Sequence, residues 1–174
     1  MKIPGHEKGF TLVEVLVALA ILGSIAGVMA MTVSQTITGS ERSNNQATVL
    51  NQVQNAGYWI VRDAQMAELV GSNPQKVVSF KWWDWSGGAR KLNKIDYTLE
   101  DNELIRTFKK HEGEGEESGA EKIEMMVAMY IDQVGCTYVD ELLKVSITAC
   151  FGEASLTKEY EVKPRVTGMD NPWE

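Results

Sequence analysis

The sequence has few of the residues that build metal centres and disulfide frameworks: two cysteines, Cys136 and Cys150, and two histidines, His6 and His111, in 174 residues. That set is too small for a convincing zinc site, so no metal and no cofactor are expected. A bridge between the two cysteines in an oxidising compartment would close a loop of about 15 residues and be worth on the order of 3 kcal/mol. Two small buried thiols are the other reading, and the residues leave the pair open. Positive charge is also scarce: 17 Lys and Arg against 24 Asp and Glu give a net charge of -7. An acidic chain has no global attraction for nucleic acid, so no direct nucleic-acid binding is expected. No segment has the local context of a nucleophile elbow, a phosphate loop or a metal-binding helix, so catalytic residues are expected to be absent and the chain not to be an enzyme. Proline is missing from every position between Pro4 and Pro74. Nothing in that stretch forces a helix to break.

What the sequence does have is one long apolar run. From Phe10 to Val33 the only ionisable side chain is Glu14. As a helix the run would extend roughly 36 Å, enough to cross a hydrocarbon core of about 30 Å. A short charged leader, residues 1–9, precedes it, with Lys2, Lys8 and Glu7 contributing a net +1 and leaving -8 for the remainder. A plain anchor has no use for Glu14, because a carboxylate in mid-span costs about 2.5–3.5 kcal/mol even on the most lenient scale and so points to a partner. Cutting the chain after Gly9 would free an α-amino group on Phe10, one helical turn from Glu14. That amine, on the same chain or on a neighbour displaced along a bundle, would supply the missing positive charge. An ordinary secretory signal or signal anchor leaves Glu14 unexplained.

The stretch Lys8-Gly9-Phe10-Thr11-Leu12-Val13-Glu14-Val15-Leu16-Val17-Ala18-Leu19-Ala20-Ile21-Leu22 resembles the signal of type IV prepilins and type II secretion pseudopilins. The resemblance implies cleavage after Gly9 by a membrane-embedded prepilin peptidase and N-methylation of Phe10. It further implies pairing of Glu14 with the N-terminus of an adjacent subunit during filament assembly. The implied partners are that peptidase, other pilin or pseudopilin subunits, an inner-membrane assembly platform and the membrane itself. The implied location is the cytoplasmic (inner) membrane, single-pass with the head outside, then a pilus or pseudopilus filament. Positive charge in the leader agrees with that orientation.

The helical pattern continues past the apolar run. Val49, Val53, Ala56, Ile60, Ala64 and Ala67 fall on one face, with Leu50, Leu69 and Val70 near its edges, and Gly71-Ser72-Asn73-Pro74 reads as a stop. One helix from Phe10 to about Val70 would be roughly 90 Å long. Gly23 and Gly27 form a Gly-x-x-x-Gly pair suited to close helix packing, although glycine is also simply tolerated in membrane helices. Many major pilins carry a mid-helix proline; Met31 stands in that region here, which leans toward a pseudopilin or minor subunit.

Beyond Pro74 the period becomes extended. Lys76–Trp83 is β-rich, and residues 95–108 read as a hairpin turning at Glu100-Asp101-Asn102-Glu103. An acidic loop, residues 111–121, follows, and Ile123–Ile131 is ambiguous between strand and short helix. Tyr138–Ala149 and Leu156–Val162 give further strands around a Gly152-Glu153 turn. Pro164, Gly168 and Pro172 mark a frayed tail. The expected fold class is α+β: a long N-terminal helix, membrane half (10–33) plus amphipathic half (34–71), packed on a small, mostly antiparallel β-sheet head (72–174) of pilin-like plan. The order of helix, tryptophan-rich strand and the Tyr97–Arg106 hairpin also looks like the J-type minor pseudopilin.

Two further groups stand out. Trp82, Trp83 and Trp85, near Arg90, Lys91 and Lys94, could stack on sugars or single-stranded nucleic acid. On a strand Trp83 and Trp85 face one way and Trp82 the other, so core and interface packing accounts for them at least as well. That patch keeps a second function in view, a membrane-anchored extracellular binding module such as an adhesin or DNA-uptake tip. The glutamates at 112, 114, 116, 117 and 121 lack the spacing of a calcium loop and read as a solvated segment.

Overall fold

The computed structural model describes residues 9–73, 76–86, 89–111 and 121–165. The acidic loop at 112–120 and the tail beyond 165 lie outside the described residues. One helix, α1 (Leu12–Met66), is followed by eight strands: β1 (Leu69–Asn73), β2 (Lys76–Ser86), β3 (Ala89–Glu100), β4 (Glu103–His111), β5 (Glu121–Ala128), β6 (Ile131–Val139), β7 (Leu142–Phe151) and β8 (Ala154–Val162). They form two sheets, sheet A in the order β1-β2-β3-β4-β5 and sheet B in the order β6-β7-β8, and every pair is antiparallel. The α+β expectation holds, with two sheets where one was expected. The chain divides into two compact units, the first ending at Ser43 and the second beginning at Asn44.

In the first unit the helix from Leu12 onward exposes every side chain along its length. Four of its hydroxyls bond back within the helix: Ser24 donates to the carbonyls of Ala20 and Ile21, Thr32 to Val28, Thr36 to Thr32 and Thr38 to Ser34. Polar side chains that bond back to the preceding turn add little cost in an apolar surrounding.

The second unit has its core where the helical period predicts. Val49, Val53, Ala56, Ile60 and Ala64 are buried along one stripe of α1, against Val78 and Phe80 of β2, Ile95 and Tyr97 of β3, and Leu143, Val145 and Ile147 of β7. The helix stops at Met66, short of the expected Val70. Leu69 and Val70 instead open β1, pairing with Lys81 and Phe80, and the Glu68 amide donates to the Lys81 carbonyl at 2.9 Å. A free edge of β2 offers more hydrogen bonds than one further helical turn, so tertiary pairing overrides the local pattern. The ambiguous 123–131 stretch resolves as β5, a turn at Met129-Tyr130 and the start of β6. The hairpin turns at Asp101-Asn102, both at positive φ (49° and 65°), as a two-residue loop requires. Pro164 is buried, so the chain is packed past the point where fraying was expected.

Polar contacts tie α1 to both sheets. Asn55 Nδ2 donates to the Val127 carbonyl, and the Met129 amide donates to Gln52 Oε1. Tyr160 Oη donates to the Val53 carbonyl at 3.1 Å, with its ring lying over Gly57. A Cβ at Gly57 would overlap that ring. Gly57→Ala is therefore expected to lower stability by about 1–3 kcal/mol through overpacking, despite the roughly 1 kcal/mol that alanine gains in a helix. In a Tyr160→Ala background the same substitution is expected to stabilise, and denaturant unfolding of both pairs checks the reversal of sign. At the β7–β8 turn Gly152 has φ 59°, which glycine adopts without strain, and a Cβ there would push against Asn45 Nδ2 at 2.5 Å.

The structure corrects the possible disulfide: Cys136 and Cys150 are both free thiols. Cys136 pairs in register with Val145, and Cys150 lies five residues further along β7. Five residues at about 3.3 Å each separate them by roughly 16 Å along the sheet, and an odd spacing puts them on opposite faces. Burial pushes the Cys136 thiol up to about 12, which leaves it inert.

Candidate functional site: the N-terminal signal and the Glu14 carboxylate

The start of α1 is a capping box. Thr11 is the N-cap and Glu14 stands three residues on, the Thr-x-x-Glu spacing that lets each side chain satisfy the other's amide. The Thr11 amide and hydroxyl both donate to Glu14 Oε2 at 2.9 Å, and the Glu14 amide donates back to Thr11 Oγ1 at 3.3 Å. The Val15 amide reaches the Thr11 carbonyl at 3.3 Å and closes the first turn. The first turn of a helix leaves its amides without partners and carries the positive end of the dipole, so a carboxylate is stabilised there. This geometry answers the cost of Glu14 differently from the sequence reading. In the uncut chain the acid already has a local role, closing the helix end. The signal for it, Thr11-Leu12-Val13-Glu14, was visible in the sequence beside the charge argument.

Immediately before the cap lie Gly9 and Phe10. Phe10 is 87 % exposed, and a Cβ on Gly9 would meet nothing within 4 Å. Among the described residues nothing packs against the Gly9–Phe10 bond. From Leu12 the helix is long and apolar enough to cross a membrane, and none of that apolar window is buried within the chain. The prokaryotic N-terminal methylation motif matches residues 5–30, spanning Gly9, Phe10, Glu14, Gly23 and Gly27.

The chain carries a prepilin-type signal.

No curated protein matches the chain. The prepilin-type signal and the apolar helix that follows it together support membrane anchoring. Cβ atoms added at Gly23 and Gly27 would likewise meet nothing within 4 Å, so that face of the helix is open along its glycine pair.

A second polar constellation, missed by the sequence reading, sits in the head. Asp63 of α1 is fully buried and takes a bidentate pair from Arg106 of β4, Nε to Oδ2 at 2.6 Å and a terminal nitrogen to Oδ1 at 3.2 Å. Tyr97 Oη donates to the same Oδ2 at 2.5 Å, and the Arg106 guanidinium lies 5.3 Å from the centroid of the Trp59 ring. Burial, then the Asp63 charge, raises the Tyr97 phenol far above its ordinary range. Burial alone would lower the Arg106 pKa, but its hydrogen bonds to Asp63 outweigh that and raise it. The buried carboxylate is fully paired, so the cluster fastens α1 to sheet A.

On the other face of sheet A, Asp96 of β3 accepts from Lys76 Nζ at 2.8 Å and Ser79 Oγ at 2.6 Å, with Lys94 Nζ at 3.9 Å. Burial raises its pKa, but those two hydrogen bonds and the Lys94 charge outweigh it, leaving the carboxyl below its ordinary value. A carboxyl depressed in the folded state stabilises the fold above its unfolded pKa of about 3.9 and loses that contribution as pH falls through the folded value. Stability is therefore expected to drop below about pH 4, and Asp96→Asn is expected to flatten that part of the profile. Thermal unfolding between pH 2 and 6 measures it. Among the described residues no group of three His, Cys, Asp or Glu side chains is placed to hold a metal. The glutamates at 112, 114, 116 and 117 lie outside the described residues.

Proposed function

We propose that this protein is a pilin-like precursor that is cut after Gly9, methylated on Phe10 and assembled through its apolar helix into a type IV pilus or a type II secretion pseudopilus. The observation that carries the proposal is the exposed Gly9–Phe10 junction, set directly before a capped apolar helix that bears a carboxylate three residues past its cap. Cleavage supplies a new cation at Phe10, one turn from Glu14. In an assembled bundle the carboxylate exchanges its local cap for the amine of a neighbouring subunit, so charge balance is reached only in the cut, packed state. The open Gly23–Gly27 face provides close approach for that packing. The head, built on the second half of α1, forms the surface, and the role is structural.

The partners follow from those steps: a prepilin peptidase, neighbouring pilin or pseudopilin subunits and the assembly platform of the inner membrane. The absence of a mid-helix proline and the order of α1, the tryptophan-bearing β2 and the β3–β4 hairpin support a minor, J-type place among the subunits.

Intact mass and N-terminal sequencing of the protein, expressed with and without a prepilin peptidase, test the reading. A chain beginning at methylated Phe10 only in the presence of the peptidase is the expected result. A chain that keeps Met1 in both cells, or that is cut near Ala30, overturns it.

A further inference from the structure

The strand register of sheet A makes a feature that sequence spacing conceals. Lys81 pairs with Lys94, Lys94 with Lys109 and Lys109 with Lys122, so four consecutive strands place a lysine at the same level of one face. The face is the one turned away from α1, since its alternate residues Phe80, Ile95 and Tyr97 are those buried against the helix. Like charges directly opposite one another on adjacent strands are destabilising, so this row has a cost within the folded chain. Asp96 and Glu124, one level along, come within ion-pair distance of Lys94 and Lys122. Lys76 also engages Asp96, so among the described residues five lysines stand against two carboxylates along this row, in a protein whose net charge is -7. The mutual repulsion shows at Lys94: burial lowers its pKa, Asp96 opposes that, and Lys76, Lys81 and Lys109 lower it further.

Aromatic surface adjoins the row on the same face. Strand alternation turns Trp83 and Trp85 to the side of Lys81, while Trp82 turns inward and stacks on Phe108 at 6.1 Å between centroids. Trp85 is 74 % exposed. Neighbouring strands lie about 4.8 Å apart, so the four lysines span roughly 14 Å, room for about two or three phosphates of an extended single strand. Bases leaving that backbone toward Trp85 would find a flat exposed ring to stack on, a combination that binds single strands with little sequence preference. An acidic polypeptide would use the lysines and leave the exposed indole without a role.

We propose that the outer face of sheet A binds single-stranded nucleic acid, its phosphates along the Lys81–Lys94–Lys109–Lys122 row and a base on Trp85. Net charge pointed away from such a partner because it is a sum over the whole chain; the fold gathers the cations onto one face. The proposal stands apart from the assembly reading, which the mature N-terminus decides.

The test uses the full chain in uncharged detergent micelles and a fluorescein-labelled 12-nucleotide oligothymidine, followed by fluorescence anisotropy. Saturable binding at low salt is expected, weakening with salt at a log–log slope of about -1.4 to -2.1, the value for neutralising two or three phosphates of a single strand. Lys94→Gln with Lys109→Gln is expected to weaken binding at least tenfold and to flatten that slope. Trp85→Ala is expected to weaken it about fivefold or more, the loss of one stacked base. Circular dichroism confirms that each variant keeps its fold. No binding at low salt overturns the proposal. So does binding that is indifferent to Trp85→Ala, or that poly-glutamate of matched charge competes away equally well, either of which would assign the face to an acidic protein surface.

Discussion

Replacing Asp63 with alanine is expected to destabilise the head by about 3–5 kcal/mol, because it strands the half-buried Arg106 guanidinium without its counter-charge. The carboxylate is fully buried in the last turn of α1, where the negative end of the helix dipole gives it no support. Its hydrogen-bond partners are Arg106 and the Tyr97 hydroxyl. Asp63→Asn keeps the shape but removes the charge, and is expected to cost nearly as much. Arg106→Met combined with Asp63→Leu removes both charges and fills the space with apolar atoms. That double variant is expected to lie well above the sum of its single changes. Urea unfolding followed by tryptophan fluorescence measures these variants and the two single changes of the double, Trp59 lying against Arg106 as a local reporter. A loss below about 1 kcal/mol for Asp63→Ala would mean that the pair is solvated in solution and does not hold the helix to the sheet.

Glu14→Gln is expected to be processed at Gly9 like the parent and yet to be lost from filaments. The choice of glutamine follows from the geometry. Glutamine at the third helical position still accepts from the N-cap amide, so the cap survives while the charge does not. Glu14→Ala removes both, and the cap loss adds about 0.5–2 kcal/mol of helix-end destabilisation. If the two variants assemble equally badly, the charge is the requirement. If Glu14→Gln assembles normally and Glu14→Ala does not, the carboxylate serves only to close the helix end and the pairing with a neighbour's amine is wrong. Immunoblots of sheared filaments beside whole-cell samples give the incorporated fraction, and intact mass establishes processing in the same cells.

Much of this was legible in the chain because it depends on near neighbours. An apolar run of membrane length, a glycine before it and an acid within it lie inside a span of two dozen residues and need no tertiary information. The buried stripe Val49–Val53–Ala56–Ile60–Ala64 follows from 3.6 residues per turn. The β3–β4 turn follows from four consecutive polar residues between alternating apolar ones. The capping box Thr11-x-x-Glu14 is equally local, and the charge argument for Glu14 does not depend on it. Where the helix ends was not legible, because Leu69 and Val70 suit a helix edge and a strand equally and only the free edge of β2 decides.

The sequence by itself determined the membrane-length helix, its signal, the buried stripe of its second half and the antiparallel habit of the head. These arise from periodicity and from turns that close within a few residues. Only the tertiary structure decided that the strands divide into two sheets, that Cys136 and Cys150 stand on opposite faces, that Asp63 meets Arg106 across 43 residues, and that four lysines from four strands form one row. The physical reason is common to all four. Each depends on how separate elements pair or pack, and between strands a shift of one residue in register sends every side chain of a strand to the opposite face.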